Sequence, residues 1–145
     1  MLARDIADRM GRKKVISVHG PLLSSLKGSG RMDSFKKMSK SDPDSAIFIS
    51  DSREEVNRKL KGAFCPTGQV DENPVMDLFK HVVFPYIGHE ITIHRPPSKG
   101  GELQVNTFDE LQTRFLKNEI HPMDLKTAAA DSLNEMIEPG RAVFR

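Results

Sequence analysis

The chain has 145 residues, enough for one ordinary domain or for a small domain with part of another attached. Its 22 Lys+Arg stand against 20 Asp+Glu, so a net charge of +2 does not by itself announce nucleic acid, and any basic surface must be local. One cysteine excludes an internal disulfide framework, Cys65 has no Cys or His at zinc-ligand spacing, and neither a span of roughly 18 apolar residues nor a signal-peptide core occurs, so a cytoplasmic chain with no membrane partner and no protein metal site is expected.

In chain order, Leu2, Ile6 and Met10 recur every four positions with charged residues between them, and Gly11 follows as a C-cap. This spacing predicts a short amphipathic helix, without an N-cap candidate ahead of it, as in a helix cut inside its length. Val15-Ile16-Ser17-Val18 is β-branched and mostly apolar and reads as a buried strand, so the chain is predicted to begin as α/β. From Gly20 to Asp44 there is no helical or alternating period, and Gly28-Ser29-Gly30 lie in a loop of a length that is usually functional or disordered.

After the apolar segment Ala46–Ile49, Ser52-Arg53-Glu54-Glu55 forms a capping box that opens a helix through Val56 and Leu60 to about Gly62. Cys65-Pro66-Thr67-Gly68 is a turn. Asn73 and Pro74 supply an N-cap and a first-turn proline for a helix with inner face Val75, Leu78, Phe79, Val82 and Val83, ended by Pro85. Ile91–His94 and Leu103–Val105 alternate in period two around Pro96–Gly101, the pattern of a hairpin with a long tip. A second capping box, Thr107–Glu110, opens a helix through Leu111, Phe115 and Leu116, and the last helix runs from His121-Pro122 through Leu125, Ala128, Ala129, Leu133 and Ile137 to Pro139. Met10, Met76 and Met136 read as gap-filling core residues, and His81, His89 and His94 as core-edge or surface residues. The change in character places a domain boundary near Ser50.

Chemistry concentrates in Lys37-Met38-Ser39-Lys40-Ser41, preceded by Gly28, Gly30 and Lys36. Two ammonium groups can offset charge building on a leaving pyrophosphate while two hydroxyls donate to its oxygens; a solvated basic loop is the plainer alternative. His19, at the end of the predicted strand, is placed to contact a nucleotide or to serve structurally. At the start of the last helix, Asp124 either favours the positive end of the helix dipole or accepts from a guanine edge, with His121 and Met123 packing on base faces. Lys126 is either a phosphate contact or part of a solvated helix face.

Lys37–Ser41, following a helix, an apolar strand and a glycine-bearing loop, resembles the second signature of class I aminoacyl-tRNA synthetases. Ala63-Phe64-Cys65-Pro66-Thr67-Gly68, Asn73-Pro74, Gly100-Gly101 and His121-Pro122-Met123-Asp124-Leu125-Lys126 resemble the tyrosyl-tRNA synthetases of archaeal and eukaryotic type, and the likeness spans essentially the whole chain. The resemblance implies an α/β remnant of a Rossmann-like catalytic domain in residues 1–50, carrying the Lys-Met-Ser-Lys-Ser loop. A mainly α-helical anticodon-binding domain with a small β-hairpin follows in residues 51–145.

It further implies ATP, with accompanying Mg2+, at Lys37, Met38, Ser39, Lys40, Ser41 and His19, with Lys37 and Lys40 as the catalytic residues. The anticodon of tRNA-Tyr would meet His121, Met123, Asp124, Lys99 and Lys126, and the full-length enzyme would be a homodimer. Lys99 departs from the aromatic residue that relatives carry before the paired glycines and offers no stacking face. No His-Ile-Gly-His-like signature or tyrosine-pocket segment occurs, so a C-terminal fragment of a tyrosine-tRNA ligase is expected. A standalone tRNA-binding module without catalysis and the C-terminal half of a tryptophanyl enzyme are the alternatives.

Overall fold

The protein is organised around its last helix, α6 (Pro122–Phe144), whose residues Leu125, Ala128, Ala129, Ser132 and Leu133 form a buried stripe of helical period. The computed structural model describes residues 2–14, 16–28, 37–88 and 90–144. Val15, Ser29, Gly30, Lys36 and His89, named above, lie outside the described residues. Ahead of α6 come α1 (Leu2–Arg9), α2 (Arg53–Gly62), α3 (Pro74–Leu78), α4 (Phe84–Ile87), strands β1 (Ile91–Ile93) and β2 (Leu103–Val105), and α5 (Phe108–Leu116). Helix α2 and strand β1 pack on α6, and the core gathers Val56, Leu60, Phe79, Ile93, Leu111, Phe115 and Leu125.

Local signals set most of these elements. Ser52 accepts from the Glu55 amide at 3.1 Å and Glu55 accepts from the Ser52 amide at 2.9 Å, the reciprocal box expected of α2. At α5 the box is displaced by one residue. Thr107 caps the Glu110 amide, but the Glu110 carboxylate reaches back to the Asn106 amide at 3.1 Å and is also gripped by Arg114 at 2.9 Å. Strands β1 and β2 pair antiparallel, Ile91 opposite Val105 and Ile93 opposite Leu103, with these four side chains turned to the core.

Both prolines expected to end helices lie inside helical stretches. Helix α3 continues through a π turn at Phe79–Val83, where the Phe84 amide donates to the Phe79 carbonyl, into α4, which contains Pro85 and stops at Gly88 in the left-handed region. The widened turn places the change of hydrogen-bond register just ahead of the proline that lacks a donor. Pro139 lies within α6, which continues to Phe144 because Arg141 anchors the last turns.

Of the strand predicted at Val15–Val18, the described residues 16–18 form no strand: Ile16 is 93% exposed and Val18 95% exposed. A strand buried on both faces needs neighbouring strands to hydrogen-bond and cover it, and the only sheet among the described residues is the β1–β2 ribbon. Met10 likewise lies 58% exposed at the end of α1, while Met76 is fully buried and Met136 partly so.

Residues 23–28 and 37–51 nevertheless join the helical body. Leu26 is buried in the core, its amide donating to the Ser45 carbonyl and its carbonyl accepting from Phe64, and the Ser24 hydroxyl donates to Asp77. Gly28 holds φ of +73° directly against the Phe64 ring, where a Cβ would fall 2.7 Å from Cδ1. The strongest tie is at Asp51, whose carboxylate accepts from the Lys59 ammonium at 2.7 Å and the Phe48 amide at 2.9 Å, while its carbonyl accepts from Arg141 Nε at 2.7 Å. Lys59 also donates to the Ala46 carbonyl at 3.1 Å and sits 4.7 Å from the Phe48 ring centroid. Arg141 completes the network through Asn134, which pairs in turn with Asn57.

Replacing Lys59 by Met leaves the Asp51 carboxylate buried without its counter-charge. The expected loss is about 3–5 kcal/mol of unfolding free energy in urea titrations, with partial recovery when Asp51→Asn is added, since the amide oxygen still accepts from Phe48. The hydrogen bond from Asn106, then that from Arg114, hold Glu110 below the ordinary carboxylate range. A depressed folded value means that this contribution is present above the unfolded value of about 4.3 and is lost as pH falls through the folded one. Thermal melts between neutral and acid pH should therefore show an acid-side decline that Glu110→Gln reduces.

Candidate functional site

The Lys37–Ser41 segment is a turn braced by one buried hydroxyl. Ser45 Oγ accepts from the Ser39 amide at 3.1 Å and donates to the Asp42 carbonyl at 2.6 Å, and the Asp42 amide closes the turn by donating to the Ser39 carbonyl at 3.3 Å. Upstream, Lys37 bridges Ser24 and the Met38 amide donates to the Leu23 carbonyl, which ties the turn to the segment buried through Leu26. Met38 packs against the core from a half-buried position, and the side chains of Lys37, Lys40 and Ser41 face solvent.

Charge around the turn is arranged so that Lys37 and Lys40 remain uncompensated among the described residues. Asp42 is gripped by Lys27 at 2.6 and 2.8 Å, and Asp44 by Arg58 at 2.8 Å; the Arg58 hydrogen bond and charge hold the Asp44 carboxyl below its usual range. Among the described residues Lys37 and Lys40 have no acidic partner. Ser39 and Ser41 place their hydroxyl oxygens 2.8 Å apart, so one proton lies between them and the other is free to donate outward. The turn can thus receive a polyanion without first breaking an ion pair. His19 lies exposed on the irregular segment that precedes it.

The second predicted constellation forms at the start of α6. His121 Nδ1 accepts from the Met123 amide at 3.2 Å, which places the imidazole at the N-cap and leaves Nε2–H as an outward donor. Ile120 and Leu125, on either side, are buried as in a hydrophobic staple. Asp124, half-buried on the first turn, makes no hydrogen bond or ion pair among the described residues, so the side-chain cap is His121 and the carboxylate is open. Met123 is 38% exposed, and the Lys126 ammonium donates to the Lys61 carbonyl at the end of α2 at 3.2 Å.

Lys99 sits exposed on the hairpin tip, in a 3-10 turn closed by Gly100 and Gly101 at positive φ. Arg95 brings that tip to the α6 start: its Nε donates to the Gly101 carbonyl and its Nη1 to the Glu119 carbonyl, each at 2.9 Å, two residues before His121. Neither Arg95 nor Ser45 was singled out by sequence reasoning, because an arginine after a strand and a serine in a polar loop carry no period or spacing. Gly100 is the trace that Arg95 leaves, since a Cβ there would fall 3.1 Å from its guanidinium. Cys65 is half-buried, and burial pushes its thiol up despite the Asn73 hydrogen bond.

The family model described as tRNA synthetases class I (W and Y) matches residues 1–138. The chain belongs to that family. It is 57% identical over 141 residues to a tyrosine–tRNA ligase of Picrophilus torridus and 50% identical to one of Thermoplasma acidophilum, each alignment taking in 97% of this chain. The crystal structure of a tyrosyl-tRNA synthetase complexed with L-tyrosine from Archaeoglobus fulgidus aligns with 97% of the chain at a TM-score of 0.84 and 37% identity, covering 41% of that protein. The resemblance to archaeal tyrosyl-tRNA synthetases is thus shown. The chain spans about two fifths of the length of the curated relatives it matches.

Within this class I synthetase fold, Arg95 is what holds the Lys99 tip beside the His121–Lys126 turn. Arg95→Met should cost about 1–3 kcal/mol of stability. Amide hydrogen exchange should accelerate at residues 99–101 while α2 keeps its protection.

Proposed function

We propose that this chain is the clamp-bearing and anticodon-reading portion of a tyrosine-tRNA ligase. Residues 1–50 end its Rossmann-like catalytic domain, and residues 51–145 form its helical anticodon-binding domain. The observation that carries this reading is the Lys37/Lys40 pair, without carboxylate partners among the described residues, in a chain 57% identical to a tyrosine–tRNA ligase.

In activation, a carboxylate oxygen of tyrosine attacks the α-phosphorus of ATP, the bond to the bridging oxygen breaks, and pyrophosphate leaves with that electron pair. Lys37 and Lys40 offset the charge gathering on the departing oxygens, and the free hydroxyl proton of the Ser39/Ser41 pair donates to them. Met38 anchors the turn, and His19 reaches the nucleotide from the preceding segment. Mg2+ accompanying the nucleotide would supply charge neutralisation on its phosphates. Asp42 and Asp44, being held by Lys27 and Arg58, are not assigned to it. The tyrosyl group then passes to the terminal ribose of tRNA-Tyr, and the whole enzyme acts as a homodimer.

At the other site, the open Asp124 carboxylate accepts from the N1 and N2 groups of a guanine at the first anticodon position. His121 and Met123 pack on base faces, and Lys99 and Lys126 supply positive charge near the backbone. With no aromatic ring at Lys99, attraction to the RNA there is electrostatic and salt-sensitive.

Two measurements test the reading. The 145-residue chain alone is expected to give no tyrosine-dependent ATP–pyrophosphate exchange, and robust exchange from a pure preparation would overturn the assignment of clamp without amino-acid pocket. Asp124→Ala should weaken binding of a tRNA-Tyr anticodon stem-loop and relax preference for guanine at its first anticodon position by about 1–3 kcal/mol. Unchanged affinity and preference would remove Asp124 from the site.

A further inference from the structure

A pocket of about 230 Å³ opens between strand β1 and helix α6, with buried Ile91 and Ala128 and half-buried Ile87 as its floor. From α6, Asp131 and Glu135 line it with exposed carboxylates one helical turn apart, and neither has a hydrogen bond or ion pair among the described residues. Like charges at this spacing destabilise a helix unless a cation comes between them. Beside them Ser132 is only 7% exposed, and its hydroxyl has no hydrogen bond among the described residues. Because no side-chain oxygen sealed from the surface there lacks a partner, this hydroxyl opens on the pocket that Ser132 lines. A nearly buried hydroxyl without a partner is costly, and a ligand that hydrogen-bonds to it removes that cost. On the facing wall Glu90 lines the pocket, and His94 Nδ1 stands 3.1 Å from Glu102 Oε1, which keeps a further carboxylate near the rim.

An anion would be repelled by these carboxylates, and a neutral ligand would leave them uncompensated. Among the described residues no three acidic, histidine or cysteine side chains converge closely enough to hold a metal ion. An organic cation fits what is left. Its N–H groups donate to Asp131, Glu135 and the Ser132 oxygen, while its carbon chain lies along the apolar floor. Because the apolar residues are confined to the floor and the rim is charged, the pocket lacks the exposed apolar surface that a protein partner would bury. Acidic groups on both walls favour a cation charged at both ends. We propose that the β1–α6 pocket binds an aliphatic polyamine, with one ammonium held by Asp131, Glu135 and Ser132 and the methylene chain on Ile87, Ile91 and Ala128.

The test is calorimetric titration of the full 145-residue chain with spermidine, alongside n-butylamine as a cation charged at one end only, and melting curves with each. Spermidine should bind saturably at one site and raise the melting temperature, and n-butylamine should bind about tenfold more weakly. Asp131→Asn combined with Glu135→Gln should weaken spermidine binding about tenfold or more and remove its effect on the melt. Ser132→Ala should weaken binding severalfold, whereas Asp71→Asn, which removes an exposed charge outside the pocket, should change it by less than about twofold. The double variant relieves a repulsion and is expected to melt no lower than the wild type without ligand; if it does melt lower, Ser132→Ala decides. No saturable binding, binding that the pocket variants leave unchanged, or binding that Asp71→Asn weakens as much as the double variant each overturns the proposal. A rise in melting temperature of the same size with MgCl2, lost in the same double variant, overturns it in favour of a metal ion. No RNA is present in these measurements, so their failure leaves the anticodon reading standing.

Discussion

The buried pair of Lys59 and Asp51 is the interaction on which the rest of the arrangement depends. Two charges taken out of water are tolerated only when every remaining donor and acceptor is met, and here the Phe48 amide, the Ala46 carbonyl and Arg141 complete the set. No buried side-chain nitrogen or oxygen among the described residues lacks a partner. The pair fastens the segment that follows the Lys37–Ser41 turn to α2, and Arg141 fastens it to α6. The turn thereby gains a rigid support on its downstream side, while Leu26 supports it upstream.

That support lets opposite ends of one scaffold do different work. Helices α2 and α6 run antiparallel, as the pairings Lys61–Lys126, Asn57–Asn134 and Asp51–Arg141 show. From Lys126 to Arg141 the helix spans roughly 22 Å at about 1.5 Å per residue. The buried charge network sits toward one end, and the His121–Asp124 turn with the hairpin tip sits at the other. Ion pairing is used selectively along this length. Asp42 and Asp44 are neutralised in place, whereas Lys37, Lys40 and Asp124 are left open among the described residues. Open charges on a fixed backbone are ready to meet a partner without first losing a contact, which is what preorganised recognition requires.

Elements with a local chemical signature were legible in the sequence. The Ser52–Glu55 box, the Asn73-Pro74 start, the alternating hairpin strands and the apolar stripe of α6 all appear where spacing placed them. Elements that depend on distant partners were not. Val15–Val18 has every mark of a buried strand, yet the described part of it is exposed because no neighbouring strand among the described residues covers it. Pro85 and Pro139 read as stops, but a π turn ahead of one and an arginine anchor after the other carry the helices on. The candidate sites divide the same way: the lysines, Asp124 and His121 stand out by type and spacing, while Ser45 and Arg95 acquire meaning only from what they touch.

By itself, then, the sequence determined the helix starts, the ribbon, the two chemically loaded segments and the likeness to tyrosyl-tRNA synthetases, because caps, turn residues and side-chain periods act over a few positions along the chain. Which charges stay free was decided only by the tertiary structure. A carboxylate at position 42 or 44 is equal on paper to one at position 124, and becomes different only when Lys27 and Arg58 fold against the first two and nothing among the described residues folds against the third. Neutralisation requires contact within a few ångströms, and such contact between residues far apart in the chain exists only once the core has formed.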